Sequence, residues 1–88
     1  MAATVTLYTS AFCGYCHRAK ALLAQKGVDY SELSVDGQPQ RRREMERLSG
    51  RSTVPQIWIG TTHVGGCDEL YALERAGRLD ALLARAGE

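Results

Sequence analysis

The chain of 88 residues carries a formal charge of +1, from eleven Lys and Arg against ten Asp and Glu, which excludes a general field that would attract nucleic acid or a membrane surface. Its 44% hydrophobic content supports one moderate core without staples, and its length leaves no room for a second domain, so residues 1–88 are expected to fold as one unit. No apolar run reaches the roughly 18 residues of a membrane span, and three cysteines, two of them only three positions apart, do not make a secreted disulfide framework.

The start, Met1-Ala2-Ala3-Thr4, has no basic region followed by an apolar stretch, so export is not expected and a reducing compartment, the cytoplasm, is. Thr4 to Tyr8 alternates β-branched and apolar residues and predicts a strand that runs into the polar segment Thr9-Ser10-Ala11-Phe12. The pair Cys13 and Cys16 follows that strand and opens a helix, because Ala19, Leu22 and Leu23 fall at helical spacing and Gly27 supplies a stop. Val28 to Val35 predicts a second strand whose alternation Glu32 interrupts, and Asp36-Gly37-Gln38-Pro39 predicts a turn into a new helix.

That helix, from about Gln40 to Ser49, has only Met45 and Leu48 as large apolar residues and should lie on the surface. Its run Arg41, Arg42, Arg43 is either a small anion site or, with Glu44 and Glu46 beside it, an ordinary solvated face. Gln56–Ile59 and Thr62–Val64, separated by Gly60-Thr61, predict an antiparallel hairpin. Asp68 is placed to cap a helix carrying Leu70, Tyr71 and Leu73, and Gly77 separates it from a last helix with Leu79, Leu82 and Leu83. The expected fold is α/β, in the order βαβαββαα, with a right-handed crossover joining two parallel strands and the hairpin extending the sheet on its other side.

A thiolate, not a thiol, is the nucleophile in disulfide exchange. Just ahead of a helix, the Cys13 sulfur faces the unpaired N–H groups of the first turn, which stabilise negative charge, whereas Cys16 lies one turn further in and is shielded. A helix terminus contributes only about 0.3 to 2 kcal/mol, so direct hydrogen bonds from backbone N–H groups and from the Cys16 thiol must add to it. Cys13 is therefore read as the nucleophile and Cys16, on the same helix face, as the resolving thiol. The competing reading is half of a structural zinc site, which His63 and Cys67 would complete on paper.

Three separated motifs carry a resemblance. They are Cys13-Gly14-Tyr15-Cys16 followed by His17-Arg18-Ala19-Lys20, then Thr53-Val54-Pro55-Gln56, then Gly65-Gly66-Cys67-Asp68-Glu69-Leu70. In this order and spacing the chain resembles the glutaredoxin family over essentially its whole length, and most of all its short bacterial dithiol members. The resemblance implies a thioredoxin fold, a four-stranded mixed sheet flanked by helices, in which Pro55 is cis and lies beside the cysteine pair. It implies a redox-active disulfide between Cys13 and Cys16, and a monomer that reduces protein disulfides and glutathione mixed disulfides with glutathione as co-substrate.

It further implies that glutathione is bound by Tyr15, Thr53, Val54, Pro55, Gly66, Cys67 and Asp68. The N–H groups of Cys67 and Asp68 would take the γ-glutamyl carboxylate, and the Asp68 side chain would meet the ammonium unless it serves as a helix cap alone. Many family members have Pro where this chain has Gly14, and Lys or Arg where it has Ser10; Arg42 or a neighbouring arginine is the substitute expected for the missing cation. Cys67 is a small buried residue, an oxidation-sensitive thiol or a donor of backbone N–H. His17 and His63 are expected on surfaces, and Trp58 is expected to pack under a helix.

The same resemblance keeps a second function open. Gly14 admits a dimer that binds a [2Fe-2S] cluster through Cys13 and glutathione thiols, as some members with non-proline motifs do. A thioredoxin indifferent to glutathione is the third reading, but that family's Trp-Cys-Gly-Pro-Cys is missing.

Overall fold

The computed structural model describes residues 4–86; Met1 to Ala3, on which the expectation about export rests, lie outside the described residues, as do Gly87 and Glu88. The elements are β1 (Val5–Thr9), α1 (Gly14–Gln25), β2 (Ser31–Ser34), α2 (Pro39–Ser49), β3 (Gln56–Ile59), β4 (Thr62–Gly65), α3 (Cys67–Arg75) and α4 (Leu79–Ala86). Their order is the expected βαβαββαα. One sheet forms in the order β2-β1-β3-β4, with β1 parallel to β2 and antiparallel to β3, and with β3 and β4 as a hairpin. The hairpin extends the sheet on the side of β1 away from β2, as the crossover rule predicts.

Side-chain alternation divides the strands between two cores. Val5, Leu7, Ile57 and Ile59 join Ala19, Leu22 and Leu23 of α1, Cys67 and Leu70 of α3, and Leu79 and Leu83 of α4. On the opposite face Tyr8, Val35 and Met45 form a smaller cluster that Leu33, Val54 and Trp58 extend. Trp58 thus packs on the α2 side, as predicted, with its ring 5.4 Å from that of Tyr8. Helix α2 is as exposed as its sequence implies, and Met45 is its one buried residue.

Most element limits fall within one residue of the expectation, and two differ by more. The second strand is shorter than 28–35, since only Ser31–Ser34 faces partners on β1; Val28 and Tyr30 pack against the larger core without entering the ladder. Glu32 does not break the alternation but uses it. It shares the α1 side of β2, where its Oε2 accepts from Thr9 Oγ1 at 2.7 Å and from Lys20 Nζ at 2.9 Å. These donors hold the Glu32 carboxyl below the usual carboxylate range, the Lys20 ammonium most strongly. The other correction is at α3, where Asp68 does not cap. Gly66 occupies the cap position, and Glu69, three residues on, accepts its N–H at 2.9 Å.

Because α2 is anchored through one fully buried side chain, Met45→Ala should destabilise the protein by about 3 kcal/mol, read from denaturant unfolding. An effect below about 1 kcal/mol would mean that the site collapses around the cavity.

Candidate active site

Helix α1 begins at the cysteine pair because Cys13 itself is the N-cap, with extended backbone at φ −113° and ψ 108°. Its sulfur takes the place of a capping oxygen and accepts from the Cys16 N–H at 3.1 Å. On its other side Cys13 Sγ lies 3.7 Å from the carbonyl of Val54, in the segment that carries the cis Val54–Pro55 bond. The loop leading to Cys13 is pinned from below. Both oxygens of Asp36 are used, one accepting from Ser10 Oγ at 2.7 Å and the other from the Ala11 N–H at 2.8 Å. These bonds, the backbone one first, lower the Asp36 carboxyl. Ser10 therefore orders the loop at the position where a cation was expected.

Cys16 sits three residues into the same helix with no exposed surface. Burial, and then the hydrogen bond with Cys13, push its thiol up to about 12, so it stays protonated at neutral pH. Cys67 is also buried, and its thiol is likewise raised, chiefly by desolvation. Phe12 and Tyr15 instead flank the pair as exposed aromatics.

A cleft of about 330 Å³ opens beside the sulfur, lined by Tyr15, Arg51, Thr53, Val54, Pro55, Gly66, Cys67, Asp68 and Glu69. Seven of these are the residues singled out in the sequence. They come from three separate segments, which the β1–β3 and β3–β4 pairings bring together. The first-turn N–H groups of Cys67 and Asp68 lack internal partners by helix geometry, so this end of α3 offers donors to an anion. Arg42 does not line the cleft, and donates instead to the Ser52 carbonyl at 3.2 Å.

Several contributors escaped sequence reading. Gln56 is buried on the sheet and braces the cleft wall, its Nε2 donating to the Thr53 carbonyl at 3.0 Å. Its Oε1 lies 2.8 Å from His63 Nε2, which makes the ring the donor there. His63 is consequently half-buried rather than on the surface, and burial is the main reason its pKa is lowered. His17 is exposed as expected, with Nε2 3.2 Å from the Ala11 carbonyl. Arg51 and Glu69 were also missed, although a Gly-x-x-Glu spacing at Gly66 was a legible capping signal for the second. The four ligands of a zinc site are not assembled. Among the described residues no three His, Cys, Asp or Glu side chains cluster, because His63 stacks on Trp58 while Cys67 lies in the opposite core.

The glutaredoxin family model matches residues 5–64. A glutaredoxin of Pseudomonas aeruginosa is 64% identical over 80 residues, 91% of this chain and 95% of that protein. Glutaredoxin 3 of Escherichia coli K12 is 58% identical over 81 residues, 92% of this chain and 98% of that protein. Among solved structures, a buckwheat glutaredoxin–glutathione complex superposes with a TM-score of 0.89 at 31% identity, over 97% of this chain and 80% of that one.

The difference in exposure between the two thiols and the raised pKa of Cys16 have a direct readout. At pH 7 iodoacetamide should place one carbamidomethyl group on the reduced native protein, at Cys13, located by peptide mass spectrometry. A thiol raised by the fold ionises only at high pH, so labelling of Cys16 should stay slow at pH 7, rise toward its value of about 12, and become rapid at pH 8 in denaturant. Equal labelling of both cysteines in the native protein at pH 7 would contradict the geometry.

Proposed function

The chain belongs to the glutaredoxin family and is a glutathione-dependent thiol–disulfide oxidoreductase of thioredoxin fold, and from that premise we propose that Cys13 attacks, Cys16 resolves and the adjoining cleft binds glutathione. The observation that carries this reading is the Cys16 N–H aimed at Cys13 Sγ at 3.1 Å, with that sulfur 3.7 Å from the carbonyl of Val54, a residue of the cleft wall. The proposed substrates are disulfide-containing and glutathionylated proteins, met by a monomer in the cytoplasm.

In the first step the Cys13 thiolate attacks one sulfur of the substrate disulfide, that S–S bond breaks, and the departing thiolate takes a proton. The charge that remains on Cys13 until attack is met by the Cys16 N–H and the start of α1. Formation of the mixed disulfide removes both the Cys13 hydrogen bond and the Cys13 charge that help to hold the Cys16 thiol high. Cys16 then gives up its proton more readily, attacks Cys13 Sγ, and expels the second substrate thiol. Two glutathione molecules restore the dithiol and leave as glutathione disulfide.

A glutathione adduct needs no resolving cysteine. Cys13 takes the glutathionyl group, the protein thiol leaves, and a second glutathione attacks the adduct. In this reading the extended tripeptide lies along Thr53, Val54 and Pro55, its carboxylate on the Cys67 and Asp68 N–H groups, its ammonium at the Asp68 side chain and its sulfur beside Tyr15.

Cys13→Ser should abolish both reactions, whereas Cys16→Ser should keep turnover of a small glutathione mixed disulfide and lose reduction of a protein disulfide. The assay supplies glutathione, NADPH and glutathione reductase and follows NADPH absorbance. Comparable loss of deglutathionylation in the two variants would reject the assigned roles.

A second reading is favoured by Gly14, where an added Cβ would meet nothing within 4 Å, and by Cys13 as the accessible thiol of the pair. One chain offers a single such donor, so a [2Fe-2S] cluster with four thiolates would draw the others from glutathione and a second copy. Bound there it would supply electron storage. Under anaerobic reconstitution with iron, sulfide and glutathione, the native chain should develop visible absorbance and form dimers, and Gly14→Pro, which restricts Cys13 as well, should do so less. No uptake by the native chain would remove this reading.

A further inference from the structure

The amino end of α3 presents a charge problem for the ligand proposed above. A carboxylate is to be received by the N–H groups of Cys67 and Asp68, yet the first turn of the helix carries two acidic side chains, Asp68 and Glu69, and both line the cleft. Asp68 has a use, since an ammonium accompanies that carboxylate. Glu69 has none toward the ligand.

Glu69 is not free to swing away into water. Its Oε1 accepts the Gly66 N–H at 2.9 Å, and Gly65 leaves room for it: a Cβ at that glycine would stand 2.5 Å from the same oxygen, at a φ of +113°. Helix capping thus fixes a negative charge at the wall of an anion site. The hydrogen bond from Gly66, and then Arg51, keep this carboxyl ionised.

Arg51 comes from a different segment, the one that leads to Thr53, and places Nη1 2.5 Å from Glu69 Oε1. The two side chains are 49% and 40% exposed, and a pair that wet contributes little to folding stability. Its effect lies in the charge balance of the cleft.

We propose that Arg51 is a specificity-determining residue that neutralises Glu69 and so allows the amino end of α3 to accept the carboxylate of a zwitterionic peptide end. The inference rests on the cleft being the glutathione site. With Arg51 in place the wall formed by Asp68, Glu69 and Arg51 carries one net negative charge, which the ligand's ammonium offsets. Without it the wall carries two, and the carboxylate is repelled.

The experiment measures KM and kcat of the full chain for a small glutathione mixed disulfide at low and high salt. Arg51→Met should raise KM about fivefold at low salt with kcat within about twofold, and added salt should shrink the difference. Arg51→Lys, which keeps the charge, should stay within about twofold of the native KM. The decisive variant is Arg51→Met with Glu69→Gln: the amide oxygen still caps Gly66, the repelling charge is gone, and KM should return toward the native value.

A double variant no better than Arg51→Met, or an unchanged KM in Arg51→Met, would overturn the proposal while leaving the glutathione site standing. A native protein that shows no saturable turnover of the glutathione substrate would instead overturn the site, and this proposal with it.

Discussion

The arrangement depends on the unpaired N–H groups that every helix presents at its start, and on what each helix of this protein uses to answer them. At α1 the acceptor is a sulfur. Cys13 reaches the Cys16 N–H because β1 ends at Thr9, Asp36 holds Ser10 and Ala11, and the chain enters the helix from an extended conformation. The hydrogen bond that begins the helix is therefore the same one that stabilises negative charge on the reactive atom. At α3 a side chain from within the helix, Glu69, supplies the acceptor for Gly66, so the N–H groups of Cys67 and Asp68 remain available to a ligand. Both helix starts face one cleft because α1 and α3 pack on the same side of the sheet, over Leu7 and Ile57.

Much of this was legible before the fold was known, for reasons local to the chain. The strand Gln56–Ile59 is a short run rich in β-forming residues, and its observed limits are the predicted ones. The pairing of a strand with a Cys-x-x-Cys helix start is short-range, and the order of elements admits few topologies. The α3 cap was misplaced because Asp is a stronger cap residue than Gly in isolation, while the partner three positions on decides the case here. The limits of β2 were overdrawn because apolar residues can pack beside a ladder without joining it, as Val28 and Tyr30 do.

What the sequence could not reveal are contacts made by the fold rather than by spacing. Arg51 meets Glu69 across 18 positions, Gln56 turns its amide inward to Thr53 while holding His63, and Arg42 turns to Ser52. In each case a polar residue in a loop or at a strand end takes its partner from whatever the sheet register brings near. The glutathione-site residues could be named from motifs, but the charge balance among them required the cleft itself.

Trp58 has a consequence of another kind. It is the one tryptophan of the chain, it lies against Tyr8 and His63, and it faces α2 on the opposite side of the sheet from Cys67 and α3. Its fluorescence therefore monitors the docking of α2 and the ionisation of an imidazole whose ring centroid is 4.7 Å away, while α1, which carries Cys16, packs on the other face of the sheet. An emission change on adding oxidant would signify movement of the α2 face, not the formation of an S–S bond as such. Intrinsic fluorescence in this protein is a probe of the fold's second core, and thiol chemistry must be followed by mass or by coupled turnover.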